Sequence, residues 1–408
     1  MKQNSNFDHK KSKVLNRWIY VVLGIIIMMC LGTVYSYSVF RIPVEAIFGV
    51  GTTQSGLPYM TALACYAFFM FLTGKHLDKY NPRIFILIGG GLVSLGWILS
   101  SFAPNIYILT LTYGVISGSG VGIAYGAPMT VVAKWFPEKK GLAVGLVLIG
   151  FGLSPLITAP LARNLVEYYG IMNTFLILGL SFGVIIAILS YPFKYPSLQE
   201  ESGLTSVKQE AVILNETDTK NMIKSGSFKA LYINFIIGTM IGLTLIGLTN
   251  SVGVQLVGLP PKRVTALMAI FAIFNGIGRP IFGWLTDKLS SRKAMLISYS
   301  LIILSALLIL SAGEGGLFKY AISFSIFWFN LGGWLAIAPT STMKMYGIKH
   351  YSQNYGVVFT AYGIGAITGV VSSGMLLDAH GNFDYVFYFI IALALTGIAV
   401  TTKFISDK

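Results

Sequence analysis

GKHLDKYNPR (residues 74–83) and GWLTDKLSSR (residues 283–292) are two copies of one ten-residue stretch. They match at Gly74 and Gly283, Asp78 and Asp287, Lys79 and Lys288, and Arg83 and Arg292, each pair 209 positions apart. Two other pairs keep nearly that offset. Ala127-Pro128 recurs as Ala338-Pro339, 211 apart, and the GFG of 150–152 recurs as the GIG of 363–365, 213 apart. Agreement in one short loop proves little, but three sets sharing an offset mark a duplicated unit.

What is duplicated follows from the sequence around the two copies. The 408 residues are 55% hydrophobic and only 11% charged, with a mean hydropathy of +0.73. Apolar runs of about 20 residues, the length that crosses the hydrocarbon core of a bilayer, fill almost the whole chain. Twelve are expected, over 17–40, 55–76, 84–102, 107–134, 141–162, 172–192, 229–251, 263–286, 294–312, 317–342, 353–377 and 385–405. The first has a basic flank but is too long for a signal peptide and precedes no small-residue cleavage site, so it is expected to stay in the protein. Cys30 and Cys65, the two cysteines, fall inside the first two runs and read as apolar packing residues rather than a disulfide or metal pair.

The net charge of +14 suggests nucleic acid until its distribution is followed. Of 29 Lys and Arg, 23 lie before the first run, after every even-numbered run, or in the C-terminal tail. Only Arg41, Arg163, Lys262, Arg263 and Lys319 fall on the other side, and Arg279 falls within a run. This alternation sets topology and not partner choice. It predicts a multi-pass protein of the cell's inner (plasma) membrane with both termini cytoplasmic, and no nucleic-acid partner. The one long polar interruption, 193–228, carries mixed charge with Ser, Thr and Glu and reads as a cytoplasmic linker of low order. The expected architecture is therefore all-α: a six-helix bundle over 1–192, the linker 193–228, and a second six-helix bundle over 229–408.

The GxxxD loops with their basic residues, in a six-plus-six layout, resemble the major facilitator superfamily along essentially the full chain. The resemblance implies two bundles rocking about a central site. More specific strings, NGIGRP (275–280), YGAP with KWFPEKKGLAVGL (125–128, 134–146) and NYGVVFTAYGIGAITG (354–369), resemble the bacterial oxalate/formate antiporter and monocarboxylate transporter group. By the superfamily resemblance, Gly74, Asp78, Lys79, Arg83, Gly283, Asp287, Lys288 and Arg292 cap neighbouring helices and lock a cytoplasmic gate, although Asn81 replaces the usual glycine of the first copy. Solvated loop charges are the plainer reading.

Arg279 lies about 12 Å along its helix from Asp287 and about 24 Å from Arg263, too deep to snorkel. An intramembrane charge usually pairs with an acid on a neighbouring helix. All 15 acids, however, fall in tails, the linker, loops or helix boundaries. A lone guanidinium in an apolar medium is costly unless dipoles, water or an imported anion compensate it. Its planar fork suits a carboxylate, and the 209 offset places Met70 opposite it, so the charge is a one-sided addition to a duplicated scaffold. Asn275, one turn earlier, shares its face. Animal-type monocarboxylate transporters resemble this motif but commonly carry an aspartate there, so a proton relay through that position is in doubt. Asn275 bonding a neighbouring helix is the alternative. Gly276 and Pro280 either free carbonyls beside the site or simply kink the helix.

Gly114, Gly118, Gly122 and Gly126 recur every four residues and form a smooth packing face, not a phosphate cradle. Tyr125 beside them resembles the tyrosine that helps bind the carboxylate; an ordinary packed aromatic is the alternative. Tyr355, Phe359 and Tyr362 form one stripe, and Trp328, Trp334 and Tyr35 are further aromatic candidates for the substrate site. The oxalate exchangers resemble this region with a lysine where Tyr362 stands, so a single cation implies a monoanion.

The function expected is alternating-access transport of a small monocarboxylate of the lactate, pyruvate or formate type, as a monomer without cofactor or metal. Anion exchange is favoured over proton symport, because His9, His76, His350 and His380 and every acid avoid mid-membrane positions. A dicarboxylate exchanger of the oxalate/formate type and a drug exporter of the same superfamily are the alternatives. No nucleophile with a base or metal set argues for an enzyme, and the linker is too short for a sensor domain.

Overall fold

The computed structural model describes residues 2–77, 79–136, 140–196, 216–313, 315–347 and 350–405, and is all-helical. The membrane-spanning helices are α1 (Arg17–Ser36), α2 (Thr52–Gly74), α3 (Pro82–Ser100) and α4 (Ile106–Trp135), then one run over Ala143–Ser190. That run holds two spans, because Gly170 adopts φ 74° and breaks it into α5 (143–169) and α6 (171–190). Only a residue without Cβ takes that backbone freely. The second half comprises α7 (Gly226–Leu256), α8 (Pro261–Lys288), α9 (Ser291–Leu310), α10 (Leu317–Tyr346), α11 (Gln353–His380) and α12 (Asp384–Phe404). The twelve spans thus lie within a few residues of the apolar runs.

The duplicated loop repeats in structure as well as sequence. Asn81 and Ser290, again 209 apart, cap α3 and α9: Asn81 Oδ1 accepts from Arg83 N at 3.0 Å and Ser290 Oγ from Lys293 N at 3.2 Å. Each offers the orphan amides of a helix start an acceptor. The asparagine in the first copy therefore supplies a cap, whereas Ser290 sits at φ 151°, a backbone that favours glycine. Arg83 stacks on the Tyr191 ring at 4.2 Å and Arg292 donates to the Thr402 carbonyl at 3.3 Å. Both copies tie the start of the third helix of a half to the end of its sixth.

The glycine face of α4 packs on α2. A Cβ at Gly118 would lie 2.5 Å from the Ala62 carbonyl oxygen, and one at Gly122 would lie 2.5 Å from that of Tyr66. Large apolar side chains such as Ile188, Leu304 and Met375 stay exposed around the bundle, the surface that lipid covers.

Two expectations need correction. The first helix does not end at residue 40: a tight turn at Gly32–Ser36 leads into a further helix, Ser38–Phe48, which buries Arg41. The end of the 193–228 segment is ordered, with a helix at Thr219–Lys224 and α7 starting at Gly226. Thr217 N donates to the Tyr346 carbonyl (3.0 Å), Asn354 Nδ2 to the Thr217 carbonyl (3.0 Å), and Met222 is fully buried. These bonds satisfy backbone groups that water would otherwise take, and so dock the segment on the second half. Residues 197–215 lie outside the described residues, as does Asp78.

Candidate functional site

The centre of the molecule is set by how closely α8 and α10 cross. A Cβ at Gly332 would overlap the Asn275 carbonyl, one at Gly278 the Phe329 carbonyl, and one at Gly333 the Phe282 ring. The missing side chains let the two backbones meet. At this crossing Asn275 Nδ2 donates to the Trp328 carbonyl at 3.0 Å.

One turn further along α8, Arg279 points across to the first half and donates from Nη1 to the Leu148 carbonyl of α5 at 2.6 Å. A helical carbonyl keeps a second lone pair for such a donor. Only 6% of Arg279 is exposed, yet among the described residues its Nε and Nη2 find no well-aligned hydrogen-bond partner, and neither does Asn275 Oδ1. Two of these atoms, Asn275 Oδ1 and Arg279 Nη2, lie against Gly152 of α5. A Cβ there would lie 2.7 Å from Asn275 Oδ1 and 3.3 Å from Arg279 Nη2. Among the described residues no carboxylate pairs with this guanidinium, and no cluster of His, Cys, Asp and Glu could hold a metal.

Aromatic side chains from both halves close over the site. The Tyr35 and Tyr362 hydroxyls meet at 2.9 Å. Tyr66 lies with ring centroids 5.0 Å from Tyr125, 5.5 Å from Phe359 and 5.6 Å from Tyr362. Phe151 packs against Tyr35 and Tyr125 at 5.1 and 5.3 Å. The stripe expected on α11 is intact, with Tyr355, Phe359 and Tyr362 in consecutive ring contact. Tyr35 and Tyr355 lie within electrostatic reach of Arg279, and the Tyr125 hydroxyl lies close enough to take part in its hydrogen bonding.

The two tryptophans behave differently from expectation. Trp334 does not approach the site: its ring lies against Gly238 and packs at a tilt on Tyr299 with centroids 5.2 Å apart, inside the second half. Trp328 donates from Nε1 to Thr249 Oγ1 at 3.1 Å and packs near Phe271, so its contribution is its backbone carbonyl. They are six residues apart on α10 and so face different neighbours. Tyr66, Phe151, Gly152 and the Leu148 carbonyl were not picked out from the sequence. Tyr59 and Tyr66, seven apart, share a face of α2, the one available signal for the first of these.

The loop residues Lys79, Asp287 and Lys288 are exposed, and among the described residues a Cβ on Gly74 would meet nothing within 4 Å. Asp287 offers its backbone carbonyl to Lys344 Nζ at 3.3 Å, within the second half. Gly283 lies 3.9 Å by the same measure from Ala336, also within that half.

The face opposite the termini is tied shut across the halves. Arg41, 1% exposed, donates to the Ser55 hydroxyl (3.0 Å), the Thr52 carbonyl (2.5 Å) and, in α7, the Gly247 carbonyl (3.2 Å), with Glu45 Oε1 at 3.7 Å. Arg163 donates to Asn250 Oδ1 at 3.1 Å and Thr265 Oγ1 at 3.2 Å. Asp378 of α11 accepts from the Thr52 and Thr53 amides at 2.9 and 3.1 Å, and Lys262 pairs with Glu167 at 3.0 Å.

The family model described as Major Facilitator Superfamily matches residues 21–343 and 235–408. The oxalate:formate antiporter of Oxalobacter formigenes is 28% identical over 385 residues, covering 94% of this chain and 90% of that protein. Monocarboxylate transporter 12 of Xenopus laevis is 27% identical over 330 residues, covering 76% and 71%. A bacterial homologue of the human lysosomal transporter Spinster, solved inward-facing and unoccupied, matches with a TM-score of 0.66 at 14% identity, covering 94% of both chains. The chain belongs to the major facilitator superfamily and is a multi-pass membrane transporter, not an enzyme.

Proposed function

We propose that the protein is a secondary carrier of small monocarboxylate anions that works by alternating access, with anion exchange favoured over proton symport. The observation that carries this reading is the half-used guanidinium of Arg279, buried between the halves with Nε and Nη2 unpartnered. Those two nitrogens form one edge of the fork, which can donate to both oxygens of a carboxylate. The substrate would supply the negative charge that the described helices withhold.

The same geometry supports the alternating step. The bond from Arg279 to the Leu148 carbonyl crosses from α8 to α5, so parting the halves removes it. A bound anion replaces what is lost, and an empty site leaves a bare cation in the bilayer interior, which is costly. Reorientation is therefore favoured when loaded, which is the signature of exchange. The central ring of phenols offers neutral donors and no second cation, which favours a monoanion over the dicarboxylate of an oxalate/formate exchanger. Positive charge at the centre disfavours export of cationic drugs. Both termini would be cytoplasmic, in the plasma membrane, so the tied face would be the external one.

Counterflow tests this directly. Proteoliposomes preloaded with unlabelled pyruvate should take up labelled pyruvate much faster than empty ones, and an inward proton gradient should add little. Equal uptake into empty vesicles, driven by the proton gradient, would replace exchange with symport.

A further inference from the structure

The unpartnered atoms beside Gly152 are an acceptor and a donor, Asn275 Oδ1 and Arg279 Nη2, and this bears on which carboxylate fits. The orientation of the Asn275 amide is fixed by its partner: the Trp328 carbonyl can only accept, so the NH2 end must face it at 3.0 Å. The other end, Oδ1, is thereby turned toward the site, fully buried and without a donor. It stands over the same glycine as Arg279 Nη2, at 2.7 and 3.3 Å from the Gly152 Cβ position. A buried acceptor left unpaired carries the full cost of its lost hydration, so a ligand that presents a donor there is preferred to one that does not.

We infer that Asn275 is a specificity-determining residue that selects 2-hydroxymonocarboxylates, its Oδ1 accepting from the substrate hydroxyl while Arg279 holds the carboxylate. The inference rests on the carboxylate reading of Arg279 and narrows it. A 2-hydroxy acid places an O–H donor one carbon from its carboxylate, matching an acceptor set beside the guanidinium. A 2-oxo acid offers a second acceptor at that place and meets Oδ1 lone pair to lone pair. A dicarboxylate does the same with added charge, and formate offers nothing. A 2-ammonium group would donate but would also set a second positive charge near Arg279. Gly152 has no side chain, which is what lets α5 lie this close to both atoms, so the halves must part at this point for a substrate to reach them.

The test is competition for labelled exchange in proteoliposomes of the full-length protein, using acids matched in length: lactate with pyruvate and glycolate with glyoxylate. The hydroxy acid should compete on the order of tenfold better in each pair, the worth of one buried hydrogen bond. In Asn275→Leu, which removes the acceptor, each ratio should fall to near one in the exchange that remains. Loss of lactate and pyruvate uptake in equal proportion would assign Asn275 a purely structural role and overturn the inference. So would wild-type protein that prefers pyruvate or does not distinguish the pair; in that case Arg279-dependent uptake of either acid would leave the carboxylate reading standing. Absence of any monocarboxylate uptake would sink that reading instead, and this inference with it.

Discussion

Arg41 and Arg279 are both buried guanidiniums in an apolar protein, and they are solved in opposite ways. Arg41 spends all three nitrogens on Ser55, Thr52 and Gly247 and has Glu45 one turn away on its own helix. Arg279 bonds the Leu148 carbonyl and has the Tyr125 hydroxyl nearby, and among the described residues its Nε and Nη2 find no well-aligned partner and no carboxylate. Burial alone therefore does not mark a functional cation. What separates them is satisfaction: a structural charge is paid for within the fold, and the other is left for something else to complete.

The sharpest way to break this comparison is to truncate each in turn. Arg279→Ala should lower carboxylate uptake roughly a hundredfold, the scale for removing one partner of a desolvated charge pair. It should leave thermal stability in detergent unchanged or raised, because an uncompensated buried charge has gone. Arg41→Ala should do the reverse to stability, costing about 2–3 kcal/mol in chemical unfolding by removing its bonds to the Ser55 hydroxyl and the Thr52 and Gly247 carbonyls and the charge that faces Glu45. If Arg279→Ala is the more destabilised of the two, satisfaction is not what distinguishes them.

A third substitution asks whether the setting of Arg279, and not only its charge, matters. Gly332→Ala would press a methyl group into the Asn275 carbonyl. Overpacking of this kind costs about 1–3 kcal/mol, and by spreading α8 from α10 it should weaken substrate affinity several-fold in equilibrium exchange, with the charge untouched. The smallest effect is expected at the face that holds Arg41. Asp378→Asn keeps the shape but weakens its hold on the Thr52 and Thr53 amides, the turn whose carbonyl Arg41 uses. The contact is solvent-exposed, so the stability change should stay under about 1 kcal/mol. Spin labels on Thr53 and Ala379 should nevertheless show the tied face opening more often.

Much of this was legible in the sequence, for identifiable reasons. Span length, positive-charge alternation and the repeated loop each encode topology one residue at a time. Asn275 and Arg279 are four apart on one helix, and local spacing places them on one face. Arg41 was misplaced as a charge at a helix exit, because its helix runs on to Phe48 and buries it between the halves. Trp334 was assigned to the site although it packs on Tyr299, and Tyr66 was passed over although it touches Tyr125, Phe359 and Tyr362. The common cause is that a membrane helix is apolar all round, so hydrophobicity does not say which face meets protein and which meets lipid. The acceptor end of Asn275 was unreadable for a different reason: it depends on which carbonyl the amide meets across a helix crossing.

The central claim is that the missing partner of Arg279 is a substrate carboxylate. It is tested most directly by ligand-dependent melting of the purified protein in detergent, with and without millimolar lactate. Wild type should be stabilised in a saturable way that follows the ligand concentration, and Arg279→Ala and Arg279→Gln should show no shift. Equal stabilisation of the wild type and both variants would place the anion elsewhere and contradict the account.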